Sequence, residues 1–147
     1  MEPGGLLQAR ALILSLSLAA AIVMGWFAYR SLAPCGESIA MVGTWCGAAI
    51  AGNYTALTHG QFSIICMGLI VGQMILLERG SPWAAGVCWC LAMLKPQIAL
   101  PFALLFCVKN RLSGLVLGGV ILLGLSLGAC RWTGVSPEVL LRHWTGD

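Results

Sequence analysis

The chain is 147 residues long, 59% of them hydrophobic and only 9% charged, with a mean hydropathy of +0.92. Soluble domains carry roughly 25% charged residues, so a water-soluble globular fold is excluded. The net charge of +3 is spread over short loops and forms no basic stripe, which argues against nucleic acid as a partner.

What remains is an all-α, multi-pass transmembrane bundle in the cell membrane. A span needs about 20 apolar residues, and the uncharged stretches give about six membrane segments, near 11–29, 39–56, 62–77, 82–94, 97–108 and 112–130. The first could be mistaken for a secretory leader. Its uncharged run from Ala11 to Tyr29 is longer than the usual signal core of about 7 to 15 residues and ends without a clean cleavage site, so a membrane helix is expected. The next run, Ser38 to Leu77, is long enough for two passes. The polar cluster Asn53, Tyr54, Thr55, Thr58, His59 and Gln61 divides it near its middle. Asn53-Tyr54-Thr55 matches a glycosylation sequon, but at a helix end it reads as a chance match.

The stretch from Ser81 to Val108 admits two forms. As one helix it would be about 42 Å long, too long for an untilted span of about 30 Å. As a hairpin broken at Lys95 and Pro96 its arms are short, yet it returns Lys109 and Arg111 to the side of Arg79, as basic loops sharing one face require. The hairpin is the preferred form. It sets Arg30, Arg79, Lys109 and Arg111 on one face and Arg10, Lys95, Arg131 and Arg142 on the other. Orientation is therefore undecided by charge alone, with a slight tilt toward a cytoplasmic Arg79 face if Lys95 is set aside as functional. The last helix is followed by an outer interfacial tail, 131–147. In it Ser136 caps, Pro137 opens and Glu138 supports a short amphipathic piece.

Seven cysteines raise the question of a metal. Cys46, Cys66, Cys88, Cys90, Cys107 and Cys130 fall within expected helices, zinc spacings are absent, and the odd count fits no closed disulfide framework. No metal site and no cofactor are expected, and Cys35, beside Pro34 and Gly36, is expected to be the exposed cysteine. Four-residue glycine pairs, Gly43 with Gly47, Gly68 with Gly72, Gly114 with Gly118 and Gly124 with Gly128, point to close helix packing.

Lys95 is the residue that lipid folding does not ask for. A charge at that depth costs roughly 2.5 to 3.5 kcal/mol on insertion scales and is read first as functional. On the same face, His59, Gly60 and Gln61 open the third segment, where unpaired amides and the helix dipole receive a phosphate well. Two accounts stand level. In one, Lys95, Gln61, Gly60 and His59 bind a phosphate; in the other, His59 and Gln61 cap a helix while Lys95 snorkels to water.

A resemblance shifts the balance. Gly60 and Gln61 open an apolar helix; Glu78, Arg79 and Gly80 form a charged turn; Trp83-Ala84-Ala85-Gly86 leads an apolar run to Leu94-Lys95-Pro96-Gln97; Leu100-Pro101 and Lys109-Asn110-Arg111 follow. From Thr58 to Val120 this order resembles the central portion of glycosyltransferase family 87. The resemblance implies a C-type glycosyltransferase fold that transfers a hexose, mannose in the first instance, from a polyprenyl-phosphate-linked donor to a lipid or glycan acceptor. It implies Lys95 near the donor phosphate, with Gly60, Gln61 and His59 by the same cavity.

The same family implies a carboxylate base in an early outward loop, and none is found. Glu37 and Glu78 fall on the opposite face, while Glu2, Glu138 and Asp147 lie at the ends. No catalytic residue is identified. Family members are also far longer, so the expectation is a fragment: a single membrane domain over 1–147, the central part of a larger enzyme, without turnover on its own. The competing expectation is a non-catalytic small membrane subunit or transporter fragment that docks into a larger membrane complex through its glycine-rich helices.

Overall fold

The computed structural model describes residues 3–48, 62–134, 136, 138 and 139. Among the described residues it is helical and contains no strand. The helices are α1 (Pro3–Leu32), α2 (Glu37–Ala48), α3 (Ser63–Glu78), α4 (Pro82–Ala92), α5 (Pro96–Ala99), α6 (Leu104–Val108) and α7 (Leu112–Thr133). A 3-10 turn, Leu100–Ala103, carries α5 into α6, so Pro96 to Val108 forms one apolar arm.

Helices occupy the described parts of the expected segments, with shifted ends. The first helix begins eight residues earlier than 11–29 and runs to Leu32: Pro3 suits a helix start, and the good helix formers from Leu6 to Arg10 carry it into the apolar run despite Gly4 and Gly5. Residues 49–61, which include the far end of the second expected segment, lie outside the described residues.

Length separates these helices. α1 and α7 are long and apolar enough to cross a membrane, at about 45 and 33 Å against about 30 Å of hydrocarbon. Their apolar windows are only 6% and 11% buried. A helix that formed the core of a soluble fold would be covered instead, whereas Leu12, Ile22, Val116, Val120 and Leu123 all stand exposed, as lipid-facing residues do. α3, at about 24 Å, and α4, at about 17 Å, fall short of that thickness. Of the six expected segments, two are helices of full spanning length among the described residues; Ser63–Glu78, Pro82–Ala92 and Pro96–Val108 are shorter apolar pieces.

Ser81 to Val108 is a hairpin. Trp89 donates its indole N–H to the carbonyl of Ala99 at 3.0 Å, and the Trp89 and Phe106 rings meet edge to face with centroids 6.3 Å apart. In one straight helix those pairs would be about 15 and 26 Å apart. The reversal occurs where Pro96 demands it. Lys95 takes φ −125° and ψ 83°, the extended conformation imposed on a residue before proline.

Two of the helices that end at the opposite pole, α3 and α6, stop in the same way. The Gly80 amide bonds the Leu77 carbonyl and the Ser81 amide that of Leu76, with Gly80 at φ 73°. The Asn110 amide bonds Cys107 and the Arg111 amide bonds Phe106, with Asn110 at φ 50°. These are Schellman closures, which need a left-handed residue that only glycine or asparagine adopts cheaply. They leave Arg79 and Lys109 on the negative ends of their helix dipoles.

Packing proceeds from neighbour to neighbour: α1 on α2 and α3, α3 on α4, and α4 on α7. The main core joins Ile70, Leu77, Ala85, Trp89, Ala92, Ala99 and Phe106, and a smaller one joins Ala20 and Ile64. Small residues set the crossings. A Cβ on Gly68 would lie 2.9 Å from the Cα of Ala20, and one on Gly118 would lie 2.7 Å from the Gly86 carbonyl oxygen. Cβ atoms on Gly86 and Gly114 would overlap the carbonyl oxygens of Gly114 and Pro82. So α4 and α7 touch backbone to backbone, an approach that only glycine permits. Two of the expected glycine pairs do contact neighbours, Gly68 with Gly72 and Gly114 with Gly118. Around Gly124 and Gly128 nothing among the described residues lies within 4 Å.

Candidate functional site

The tip of the hairpin carries the site. Lys95 caps α5, its amide bonding the Ala92 carbonyl at 3.0 Å and its own carbonyl accepting from Ile98 and Ala99. The turn is thereby closed on both sides, which fixes where the side chain starts. Its Nζ donates to the Ser63 Oγ at 2.5 Å, in the first turn of α3. An ammonium has three N–H donors, and among the described residues Ser63 takes one of them. The Cys66 thiol, one turn further along α3, faces the main chain of Lys95.

Two side chains hold the returning arm in register beneath that tip. Pro101 has no N–H, the helix there tightens to a 3-10 turn, and carbonyls of this arm accept donors from neighbouring helices. Trp89 bonds Ala99, and Gln73 donates its Nε2 to the Phe102 carbonyl at 3.0 Å. Gln73 is fully buried and its Oε1 has no partner among the described residues. Neither clamp was foreseen. A buried glutamine in the middle of α3 was the available signal, and its partner on another helix was beyond reach of periodicity.

Depth follows from helix lengths. α1 and α3 run parallel, since Ala20 meets Gly68 while Arg30 and Arg79 line one pocket further along. Ser63 precedes Gly68 by about 8 Å of helix, while α1 continues about 26 Å before Ala20. α4 and α7 also run parallel, with Gly118 seated at Gly86 and Trp89, and α7 continues about 22 Å beyond that seat. The ammonium therefore lies well below the ends of two taller apolar helices. A charge recessed to that level is costly unless something there uses it.

At the other pole stand Arg30, Arg79 and Arg111: Arg30 and Arg79 share a pocket, and Arg111 lies 3.9 Å from where a Gly80 Cβ would be. The carboxylates Glu37 and Glu78 begin α2 and end α3 at this same pole. Lys95 therefore lies away from the basic loops and from both acids, as expected. His59, Gly60 and Gln61, the other residues expected at the phosphate, lie outside the described residues. The hydroxyl found against Lys95 belongs to Ser63, two positions after Gln61.

Among the described residues, no cluster of histidine, cysteine or carboxylate could hold a metal, and the described cysteines are free thiols. Cys35 is exposed as expected, but Cys46 and Cys107 are exposed too. They sit on outward faces of short helices that no neighbour covers.

Among the described residues the chain is helical, with two helices long and apolar enough to cross a membrane and a cation recessed between them. Over residues 1–146 it matches the sequence profile of glycosyltransferase family 87, and it belongs to that family. No curated protein and no solved structure matches it. The match extends far beyond Thr58–Val120, taking in α1 and the outer half of α7.

Proposed function

We propose that this chain forms the donor-binding part of a membrane glycosyltransferase that takes a hexose, mannose in the first instance, from a polyprenyl-phosphate carrier and passes it to a lipid or glycan acceptor. Family membership supports the transferase class. The observation that carries the donor assignment is the Lys95 ammonium, held by Ser63 at the recessed tip of an apolar hairpin. A cation there meets the phosphate of a lipid whose chain lies in the surrounding hydrocarbon, and charge-assisted bonds to phosphate are roughly twice as strong as neutral ones. His59, Gly60 and Gln61 complete the phosphate site in this proposal. The bundle is a multi-pass assembly of about six segments in the cell membrane, with the hairpin arms reaching part-way through it and 131–147 lying on its outer surface.

A glycosyl transfer needs a base for the acceptor hydroxyl, and Glu37 and Glu78 stand at the wrong pole for it. The remainder of a larger enzyme supplies that carboxylate, and the 147-residue chain alone binds donor without turning it over. The test is polyprenyl-phosphate-mannose binding to the purified chain in nanodiscs. Lys95→Met is expected to weaken it by at least tenfold while the helical content and monodispersity of the protein are kept. Unchanged affinity would remove Lys95 from the donor site, and robust transfer by the wild-type chain would remove the missing-base argument.

One observation favours a second role. Gly124 and Gly128 present an open four-residue pair on α7, the form of surface on which another membrane helix packs. In that role the chain is a non-catalytic subunit docked by α7, and Lys95→Met leaves donor binding untouched while leucine at both glycines abolishes co-purification with its complex.

A further inference from the structure

At the pole opposite Lys95, the ends of α1 and α3 enclose a pocket of about 400 Å³. Its lining combines the charged or polar residues Arg30, Arg79, Ser31 and Glu78 with the apolar Trp26 and Ile75. The Arg30 guanidinium lies over the Trp26 ring, 5.4 Å from its centroid, so this long side chain is held at the pocket rather than free in water. Trp26 sits nearly two turns inside the end of a helix long enough to cross a bilayer, near the level at which tryptophan marks the boundary between headgroups and hydrocarbon.

We infer that this pocket binds the headgroup of an anionic phospholipid, with the phosphodiester between Arg30 and Arg79 and a headgroup hydroxyl donating to Glu78. The charges require that combination. Two guanidiniums and one carboxylate leave a net single positive charge, which one phosphodiester neutralises. The carboxylate accepts hydrogen bonds but repels a second phosphate, so a headgroup bearing a donor is favoured over one without. The apolar lining receives the first methylenes of the acyl chains, which free phosphate lacks. Basic pockets between membrane helices are recognised headgroup sites on the face where basic loops gather, and Arg111 and Lys109 stand at this same pole.

This site is independent of the donor assignment, and its test distinguishes the two. The full chain is incorporated into nanodiscs of phosphatidylcholine doped with phosphatidylglycerol, and retained lipid is read by native mass spectrometry after delipidation. Phosphatidylglycerol is expected to remain bound at least fivefold over its share of the bilayer. Arg30→Gln with Arg79→Gln is expected to erase that enrichment and Lys95→Met to leave it unchanged. Circular dichroism checks that these exposed helix-end variants remain folded. Lipid retained in proportion to its abundance, enrichment surviving the double arginine variant, or complete displacement by millimolar inorganic phosphate would each overturn the assignment.

Discussion

Trp89 and Ala99 are joined by a hydrogen bond from indole to carbonyl across the mouth of a reversal only ten residues long. That bond holds the Lys95 turn at the level of Ser63, because it fixes the descending arm against the ascending one. Trp89→Phe keeps most of the packing against Phe106 but leaves a carbonyl in an apolar interior without its donor. It should lower stability by about 1 kcal/mol, read as a shift in thermal unfolding in detergent. It should also weaken donor binding less than Lys95→Met does.

The α4–α7 contact makes a sharper prediction. Gly86→Ala puts a methyl into the Gly114 carbonyl, so the helices must part, at a cost of about 1–3 kcal/mol. Gly124→Ala, on the same expected pattern but in open space, should be neutral or slightly stabilising in the same melt.

Gln73 distinguishes shape from polarity. Its Nε2 is paired and its Oε1 is buried without a partner among the described residues. Gln73→Leu removes an unsatisfied acceptor but leaves the Phe102 carbonyl without its donor, as Trp89→Phe does for Ala99, and should cost about 1 kcal/mol. Gln73→Ala leaves a void and should cost about 2 kcal/mol or more. Paired unfolding measurements in one detergent check the order.

Thiol accessibility tests orientation. With the Arg79 pole in the cytoplasm, an impermeant maleimide should modify Cys35 in inside-out vesicles and spare it in right-side-out ones. Cys66 and Cys90, buried between helices, should resist in both until detergent and denaturant are added. Labelling of Cys35 from the outside would invert the topology.

The sequence made some of this legible and hid the rest for physical reasons. The hairpin could be read, because Pro96 forbids a helical Lys95 and because a returning arm gathers Arg79, Lys109 and Arg111. The separation of Lys95 from Glu37 and Glu78 followed from the same alternation. Ser63 as the partner of Lys95 could not be read: the choice among polar residues near the start of α3 depends on rotation about the helix axis, and a helix apolar on all sides gives no such rotation. For the same reason Gly114 and Gly118 announced a packing face without naming Gly86 as what they meet, while Gly124 and Gly128 announced one that finds no neighbour among the described residues. The resemblance was confined to Thr58–Val120 because its recognisable turns lie there. The flanking helices belong to the family with little but leucine, alanine and glycine to reveal it.

The seat of α4 on α7 has a consequence for biogenesis. α4 leaves the ribosome some thirty residues before the start of α7, and it is too short to settle across a bilayer unaided. Its glycine notch has nothing to grip until Gly114 and Gly118 have emerged. The hairpin is first held by α3 alone, through Lys95 on Ser63 and Gln73 on Phe102, so that a nascent chain halted before Leu112 should leave the glycine face of α4 uncovered.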